Sequence, residues 1–163
     1  MKLKSKINSP VGGPKFEKSF SLIELLIIVV IFTIISGISF TIFREFEPTM
    51  KLNGAARELI TDLRYAQQLT VSEQVRHGIR FSTTTPETSD EYRLIRYGEA
   101  PEEIFTKQLS EGIEFQKINF TNQPEVIFNS YGAVQEAGEI VLVNSKNATT
   151  TIDVRPSGFI QKK

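Results

Sequence analysis

The sequence of 163 residues contains no cysteine and a single histidine, His77. Without cysteine, neither a disulfide nor a thiolate metal site can form. Without a second histidine, no zinc-binding histidine set and no nucleophile activated by an imidazole pair can be assembled. The chain also lacks a glycine-rich phosphate loop. We therefore predict no enzyme and no cofactor or metal, and we expect His77 to be a half-buried, hydrogen-bonded strand residue.

The chain also lacks a net charge, although its charges are unevenly distributed. Residues 1–19 carry five lysines and one glutamate, a net charge of +4, and the rest of the chain carries −4. A mildly acidic body has no clustered cations of the kind that nucleic acids attract. At this length, a single folded domain is the expected organisation.

Residues 25–43 form a run, LLIIVVIFTIISGISFTIF, without any charged side chain. As a helix rising about 1.5 Å per residue, the run would span roughly 28 Å, close to the thickness of a bilayer core. It is too long for the core of a secretory signal peptide, and no small-x-small cleavage site follows it. The run predicts a single-span membrane anchor, with the lysine-rich start in the cytoplasm and the residues after Phe43 outside.

A specific motif, Ser19-Phe20-Ser21-Leu22-Ile23-Glu24-Leu25-Leu26, lies at the start of this run. Its lone carboxylate is costly inside a membrane, by about 2.5–3.5 kcal/mol, and therefore calls for a partner. The motif resembles the class III signal of type IV prepilins and type II secretion pseudopilins, whose common form is Gly-Phe-Thr-Leu-Ile-Glu-Leu.

This resemblance implies cleavage by a prepilin peptidase between Ser19 and Phe20, followed by N-methylation of Phe20. It implies that Glu24 pairs with a terminal amine, its own or that of an adjacent subunit, and so sets the axial register of assembly. Glu24 would also lie in the first turn of the mature helix, where the helix dipole favours an anion. The sequence departs from the family at Ser19, where glycine is usual, and it has no proline within the span.

After the span, an amphipathic helix is predicted. Pro48 follows the exit and is placed to bend the helix. Apolar or small residues then recur every three to four positions, which indicates a helix that covers a sheet. They are Leu52, Ala55, Ala56, Leu59, Leu63, Ala66 and Thr70.

The second half of the chain predicts short strands. Alternation begins at Val75–Phe81, and Ser82–Glu91 is polar enough to be a loop. Further strands are predicted at Tyr92–Tyr97, Ile113–Phe120, Glu125–Asn129, Glu139–Asn144 and Thr150–Arg155. The predicted fold class is α+β, a long N-terminal helix on a small antiparallel β-sheet head, similar to pilins.

A second resemblance covers most of the predicted mature chain. Three segments, Glu58–Gln67, Ile127–Gly132 and Arg155–Ile160, are similar to the H-type (GspH) minor pseudopilins of type II secretion and the FimT-like minor pilins. This implies a cytoplasmic leader at 1–19, a transmembrane helix at 20–43, an amphipathic helix at 44–72 and an extracytoplasmic head at 73–163.

The function implied is that of a structural subunit of a type II secretion pseudopilus or type IV pilus. The protein would reside in the inner membrane before assembly. Its implied partners are other pilins, a prepilin peptidase and an inner-membrane assembly platform driven by a separate ATPase.

The alternative function is DNA capture by a minor pilin of a competence pilus. Its candidate contacts are Arg155, Lys162 and Lys163 at the C-terminus, with Lys146 nearby. DNA-binding relatives carry arginines just after the final glycine, whereas Phe159 and Ile160 follow Gly158 here. This departure and the sparse basic residues count against DNA binding.

Overall fold

The computed structural model describes residues 20–82, 90–121 and 124–163, with the side chains of residues 38–42 excepted. The predicted leader therefore lies outside the described residues, as do residues 83–89 of the predicted loop Ser82–Glu91. The chain divides into two compact units between Thr41 and Ile42. The second unit contains all the described strands.

One helix, α1, runs Leu22–Glu73 and contains Pro48 without ending there. Its C-terminal end is set by Gln74, whose backbone adopts the left-handed conformation with φ of 56°. The Gln74 side chain also donates a hydrogen bond from Nε2 to the carbonyl of Val71 at 2.7 Å. A left-handed residue that follows the last turn, with a donor for a terminal carbonyl, stops a helix.

Among the described residues, eight strands follow α1. They are β1 Arg76–Ser82, β2 Glu91–Tyr97, β3 Pro101–Gln108, β4 Ile113–Asn119, β5 Glu125–Phe128, β6 Gly138–Asn144, β7 Thr149–Val154 and β8 Ile160–Lys162. They form two antiparallel four-stranded sheets, in the orders β3-β2-β1-β5 and β4-β6-β7-β8. We refer to these as the first and second sheets.

The fold class is α+β, as predicted, but the expectation of one small sheet is wrong because two sheets form. Strands β3 and β8 are absent from the sequence prediction. The β3 strand lies at an edge and is largely exposed, so its sequence lacks the apolar alternation that marks a half-buried strand. The predicted loop is also too long at both ends, because Ser82 closes β1 and Glu91 opens β2.

The core lies between α1 and the two sheets. All seven residues of the predicted helical stripe are buried, which confirms the amphipathic pattern. The sheets supply Ile79, Leu94 and Phe128 from one side and Ile140 and Ile152 from the other, all fully buried in the same cluster. The second half of α1 is therefore fixed to the head by continuous apolar packing.

Candidate functional site

The N-terminal end of α1 carries the residues of the leader motif. Ser19 lies outside the described residues, and Phe20 is exposed, two residues before the helix begins. The Ser21 carbonyl accepts hydrogen bonds from the backbone N–H groups of Glu24 at 3.0 Å and Leu25 at 3.2 Å. Glu24 therefore lies in the first turn of α1, where the unpaired backbone N–H groups and the helix dipole favour a negative charge.

The first part of α1 presents apolar side chains on every side. From Phe20 to Ile35, the large apolar residues are exposed by 40 to 80%. Thr33 Oγ1 donates to the Val29 carbonyl at 2.8 Å, so this hydroxyl is satisfied within the helix. A helix that is apolar all round normally lies inside a membrane or among other helices.

Residues 38–42 of the predicted span lie outside the side chains that the structure describes. Among the residues that it does describe, no helical stretch is both long enough and apolar enough to span a bilayer.

In the head, a polar cluster centred on the buried Asp62 and Tyr92 joins α1 to the first sheet. Tyr92 Oη donates to Asp62 Oδ2 at 2.6 Å, and Lys107 Nζ lies 2.8 Å from the same oxygen. Lys107 also contacts Glu58 at 3.1 Å. Burial and the hydrogen bond to Asp62 raise the pKa of Tyr92. Burial alone would lower the pKa of Lys107, but its hydrogen bonds to Asp62 and Glu58 raise it. The cluster thus keeps Tyr92 neutral and Lys107 charged.

The C-terminal cations proposed for DNA contact make contacts within the head. Arg155 lies over the Phe159 ring, 5.5 Å from its centroid, and its Nε is 3.4 Å from Asp153. Lys163 is 2.8 Å from Glu139 and 3.6 Å from Asp153. Lys162 donates to the Asn53 side chain. Lys146 likewise donates to the Glu45 carbonyl at 3.0 Å. Arg155 and Lys163 therefore meet at the same Asp153 carboxylate, whose charge offsets theirs.

His77 is fully buried, so the expectation of half-burial is wrong. Its Nδ1 is 2.8 Å from the Val75 carbonyl, which is a pure acceptor, so this nitrogen carries the proton of that hydrogen bond. Its Nε2 lies 3.6 Å from Glu73 and has no hydrogen-bond partner among the described residues. In the same part of the chain, no three acidic or histidine side chains are grouped closely enough to hold a metal ion.

Sequence reasoning missed the residue that joins two surface turns. Gln67 Nε2, on α1, donates to the carbonyls of Gly132 at 2.6 Å and Gly158 at 3.1 Å. Both glycines have φ of 80°, a backbone conformation that only glycine adopts without strain. The two turns present Tyr131, exposed by 93%, and Phe159. The two glycines could have indicated the two turns from the sequence. A glutamine in a helix, in contrast, gives no indication of which distant residues it contacts.

Comparison with known proteins agrees with this architecture. The fold is similar to the minor pseudopilin EpsH from the type 2 secretion system of Vibrio cholerae, with a TM-score of 0.57 at 10% identity over 69% of this chain and 96% of EpsH. It is also similar to the type IV minor pilin FimU of Pseudomonas aeruginosa, with a TM-score of 0.55 at 14% identity over 72% and 92% of the two chains. At these identities, the likeness concerns the fold.

A comparison with curated proteins gives no match. Two family models do match: the prokaryotic N-terminal methylation motif covers residues 14–40, and the type II transport protein GspH model covers residues 55–158. Because the second match spans more than half of the chain, the protein belongs to the GspH family of type II transport proteins, with a prepilin-type methylation motif ahead of its head.

Proposed function

We propose that this protein is a minor pilin or pseudopilin, a structural subunit that assembles through its N-terminal helix into a type II secretion pseudopilus or a type IV pilus. The observation that carries the proposal is the order of elements. A methylation motif at residues 14–40 overlaps the start of α1, where apolar side chains are exposed, and a GspH-type head follows. Membership of the family supports a structural role and no catalytic one.

Processing would occur on the cytoplasmic side, between Ser19 and Phe20, and would be followed by methylation of the new Phe20 amine. The leader carries the net charge of +4, which favours its cytoplasmic location. Cleavage there removes the leader and leaves Phe20 two residues ahead of the first helical residue, Leu22. The mature helix would then begin with a cationic amine close to Glu24.

Residues 20–43 would hold the subunit in the inner membrane before assembly and pack among other subunits afterwards. Either environment buries the apolar side chains that are exposed on the isolated chain. At about 25 cal/mol per Å² of apolar surface removed from water, this burial is a large driving force. The head, residues 73–163, would lie outside the membrane and contact neighbouring subunits.

Glu24 is the residue that we propose sets the axial position of each subunit relative to its neighbour. In a medium of low dielectric, a carboxylate without a partner carries a large desolvation cost. The Phe20 amine of an adjacent subunit would offset that cost at one axial position only. A prepilin peptidase, other pilins and an assembly platform with its ATPase are the partners that such a subunit needs.

DNA capture is the weaker proposal. Lys163 is paired with acidic side chains, Lys162 is bonded to Asn53, and Arg155 stacks on Phe159. Binding a phosphate chain through these groups would break contacts that already satisfy them. If the protein binds DNA through these lysines, the combined Lys162→Ala and Lys163→Ala variant should lose salt-dependent DNA binding. DNA binding that is unchanged in this variant would contradict the proposal.

Incorporation of Glu24→Ala into filaments tests the assembly proposal. We expect the variant to enter the membrane as the wild type does, because removing a charge favours insertion. We expect it to be absent from sheared filaments, because the Phe20 amine loses its partner. Glu114→Ala, which removes an exposed carboxylate from the head, is the matched control and should be incorporated normally. Normal incorporation of Glu24→Ala would contradict the pairing.

A further inference from the structure

The head part of α1 carries opposite charges on its two flanks. On one flank, Glu58 and Asp62 lie 3.1 Å and 2.8 Å from Lys107 Nζ of β3. On the other flank, Arg57 and Arg64 are exposed. Seven positions separate these two arginines, so they share one face of the helix and lie about 10 Å apart along its axis. The first sheet thus neutralises the acidic flank only.

Strand β8 follows the basic flank and adds a third cation. The Ile160 carbonyl accepts a hydrogen bond from Arg64 Nη2 at 3.3 Å, and Lys162 donates to the Asn53 side chain. Asn53 lies four positions before Arg57, and therefore on the same face of α1. Lys162 is itself exposed. We call the surface formed by Arg57, Arg64 and Lys162 the cationic flank.

The head does not compensate the charge of the cationic flank. Among the described residues, none of its three side chains makes an ion pair with a carboxylate. Asp153 and Glu139 of the second sheet are paired with Lys163 instead, at 3.6 Å and 2.8 Å. A guanidinium has five N–H donors, and the bond from Arg64 to Ile160 uses one of them. The flank therefore keeps both charge and hydrogen-bond donors for a partner.

The spacing of the two arginines favours a helix as that partner. Carboxylates seven positions apart on a helix share a face and lie about 10 Å apart, so a helix alongside α1 can meet both arginines at once. Residues on one face of a strand are about 6.6 or 13 Å apart, which does not match this spacing. Complementary charges of this kind fix the register of two surfaces.

This chain does not supply the required helix to a second copy of itself. The head part of α1 has five carboxylates, and no two of them are seven positions apart. Four of the five already pair with a cation of their own chain, and a second copy would have to break those pairs. The four are Glu47, Glu58, Asp62 and Glu73.

We infer that the cationic flank binds an α-helix of a different pilin subunit, which presents two carboxylates seven positions apart to Arg57 and Arg64. The inference rests on the proposed function, in which this chain is a minor subunit and its neighbours in the filament are other pilins. It adds to that function the face of the head that meets a neighbour and the chemistry of the neighbour's contacting helix.

Nucleic acid fits the cationic flank less well. A DNA strand carries one phosphate per about 3.4 Å of helix axis, whereas Arg57 and Arg64 are about 10 Å apart. Most phosphates that pass over the flank would therefore meet no cation. A partner with fewer and more widely spaced charges matches the flank better.

Cross-linking in assembled filaments identifies the partner. The full chain carries photoreactive p-benzoylphenylalanine in place of Thr61, an exposed residue between the two arginines. It is expressed with the peptidase, the assembly platform and the other pilins of its own system. We expect a product joined to a helix of a different pilin, within two turns of carboxylates seven positions apart.

The matched control carries the same photoreactive group in place of Glu102, whose side chain is exposed by 71% on β3. This control should not give that product. A yield at Thr61 no greater than at Glu102 would overturn the inference. So would a product formed only with a second copy, with a protein that is not a pilin or with nucleic acid.

Charge reversal tests the ionic contact. Arg57→Glu with Arg64→Glu should lower the amount of this chain in sheared filaments about fivefold or more, because two attractions become repulsions. Arg76→Glu with Lys117→Glu changes the net charge equally at two other exposed cations, and this control should be incorporated normally. Unchanged incorporation of the first variant, or an equal loss in the control, would overturn the inference.

Reversal in the partner separates the contact from a folding defect. Lysine in place of the two carboxylates of the cross-linked pilin should restore incorporation of the Arg57→Glu and Arg64→Glu variant, which a misfolded head could not regain in this way. A loss that these lysines do not reverse would overturn the charge pairing.

Intact mass of the same filaments reports processing. A chain processed at Phe20 whose cross-links from Thr61 map elsewhere refutes only this contact. A chain that stays unprocessed and outside filaments refutes the proposed function itself.

Discussion

At the scale of single residues, Asp62 holds the helix to the first sheet. It is buried, it accepts the Tyr92 hydroxyl at 2.6 Å, and it contacts Lys107 at 3.0 Å through its other oxygen. A buried carboxylate is stable only when its lone pairs are used. The cluster therefore favours one position of α1 on the sheet.

Replacing Tyr92 with phenylalanine tests this cluster. We expect Tyr92→Phe to lower the free energy of unfolding by about 2 kcal/mol, the usual contribution of a hydrogen bond to a charged group. Thermal unfolding of the detergent-solubilised chain, followed by circular dichroism, measures the change. Tyr131→Phe makes the same chemical change on an exposed ring and should change stability by less than about 0.5 kcal/mol. Equal effects of the two substitutions would contradict the role of the cluster.

Tyr97 gives a prediction about alkaline pH. Its hydroxyl donates to Glu125 at 2.7 Å, and burial together with this bond raises the pKa of Tyr97 to about 12. The unfolded chain loses this proton near pH 10, before the folded chain does, so the stabilisation is complete below pH 10 and is lost as the pH rises to 12.

Urea unfolding of the wild type and Tyr97→Phe across pH 9 to 12 measures this loss. We expect stability to fall less steeply between pH 10 and pH 12 in the variant, because one of the groups that titrate in this range is absent. The fall should not vanish, since the pKa of Tyr92 is also raised. Parallel curves for the two proteins would contradict the prediction.

At the scale of elements, the two turns held by Gln67 depend on glycine. A Cβ built at Gly158 would lie 2.0 Å from the Gly132 carbonyl oxygen, and its φ of 80° disfavours any other residue. The turns that present Tyr131 and Phe159 therefore keep their shape through backbone contact as well as through hydrogen bonds.

Two glycine substitutions separate this constraint from a general effect of glycine. Gly158→Ala should lower the free energy of unfolding by about 2 kcal/mol, from backbone strain and the clash with Gly132. Gly54 lies in α1, and a Cβ there meets no atom within 4 Å. Gly54→Ala should raise stability by up to about 1 kcal/mol through helix propensity. Chemical denaturation of both variants checks the opposite signs, and a stabilising Gly158→Ala would contradict the account.

The elements that could be predicted from the sequence were those in which apolar residues recur at a regular spacing. The spacing of Leu52, Leu59 and Leu63 places them on one helical face, and all three are buried. The β3 strand was missed because an edge strand needs no buried face. The division into two sheets was missed because the alternation of apolar and polar residues does not specify which strands pair. The contacts of Gln67 with Gly132 and Gly158 span 65 and 91 residues, a separation on which local patterns carry no information.

At the scale of the whole molecule, the chain combines two kinds of surface. The first part of α1 exposes apolar side chains throughout, whereas its second part buries an apolar stripe within the head. The N-terminal methylation motif, at residues 14–40, overlaps the first part. One helix thus contributes to the core of a folded head and also presents an exposed apolar surface.

The central claim is that the protein is processed as a prepilin. The most direct measurement is the intact mass and N-terminal sequence of the chain recovered from membranes that contain a prepilin peptidase. The account predicts a mature chain that begins at methylated Phe20, with the same product from Ser19→Gly. A chain that keeps Met1–Ser19 in both proteins would contradict it, whereas processing of the Ser19→Gly variant alone would show that Ser19 blocks the enzyme.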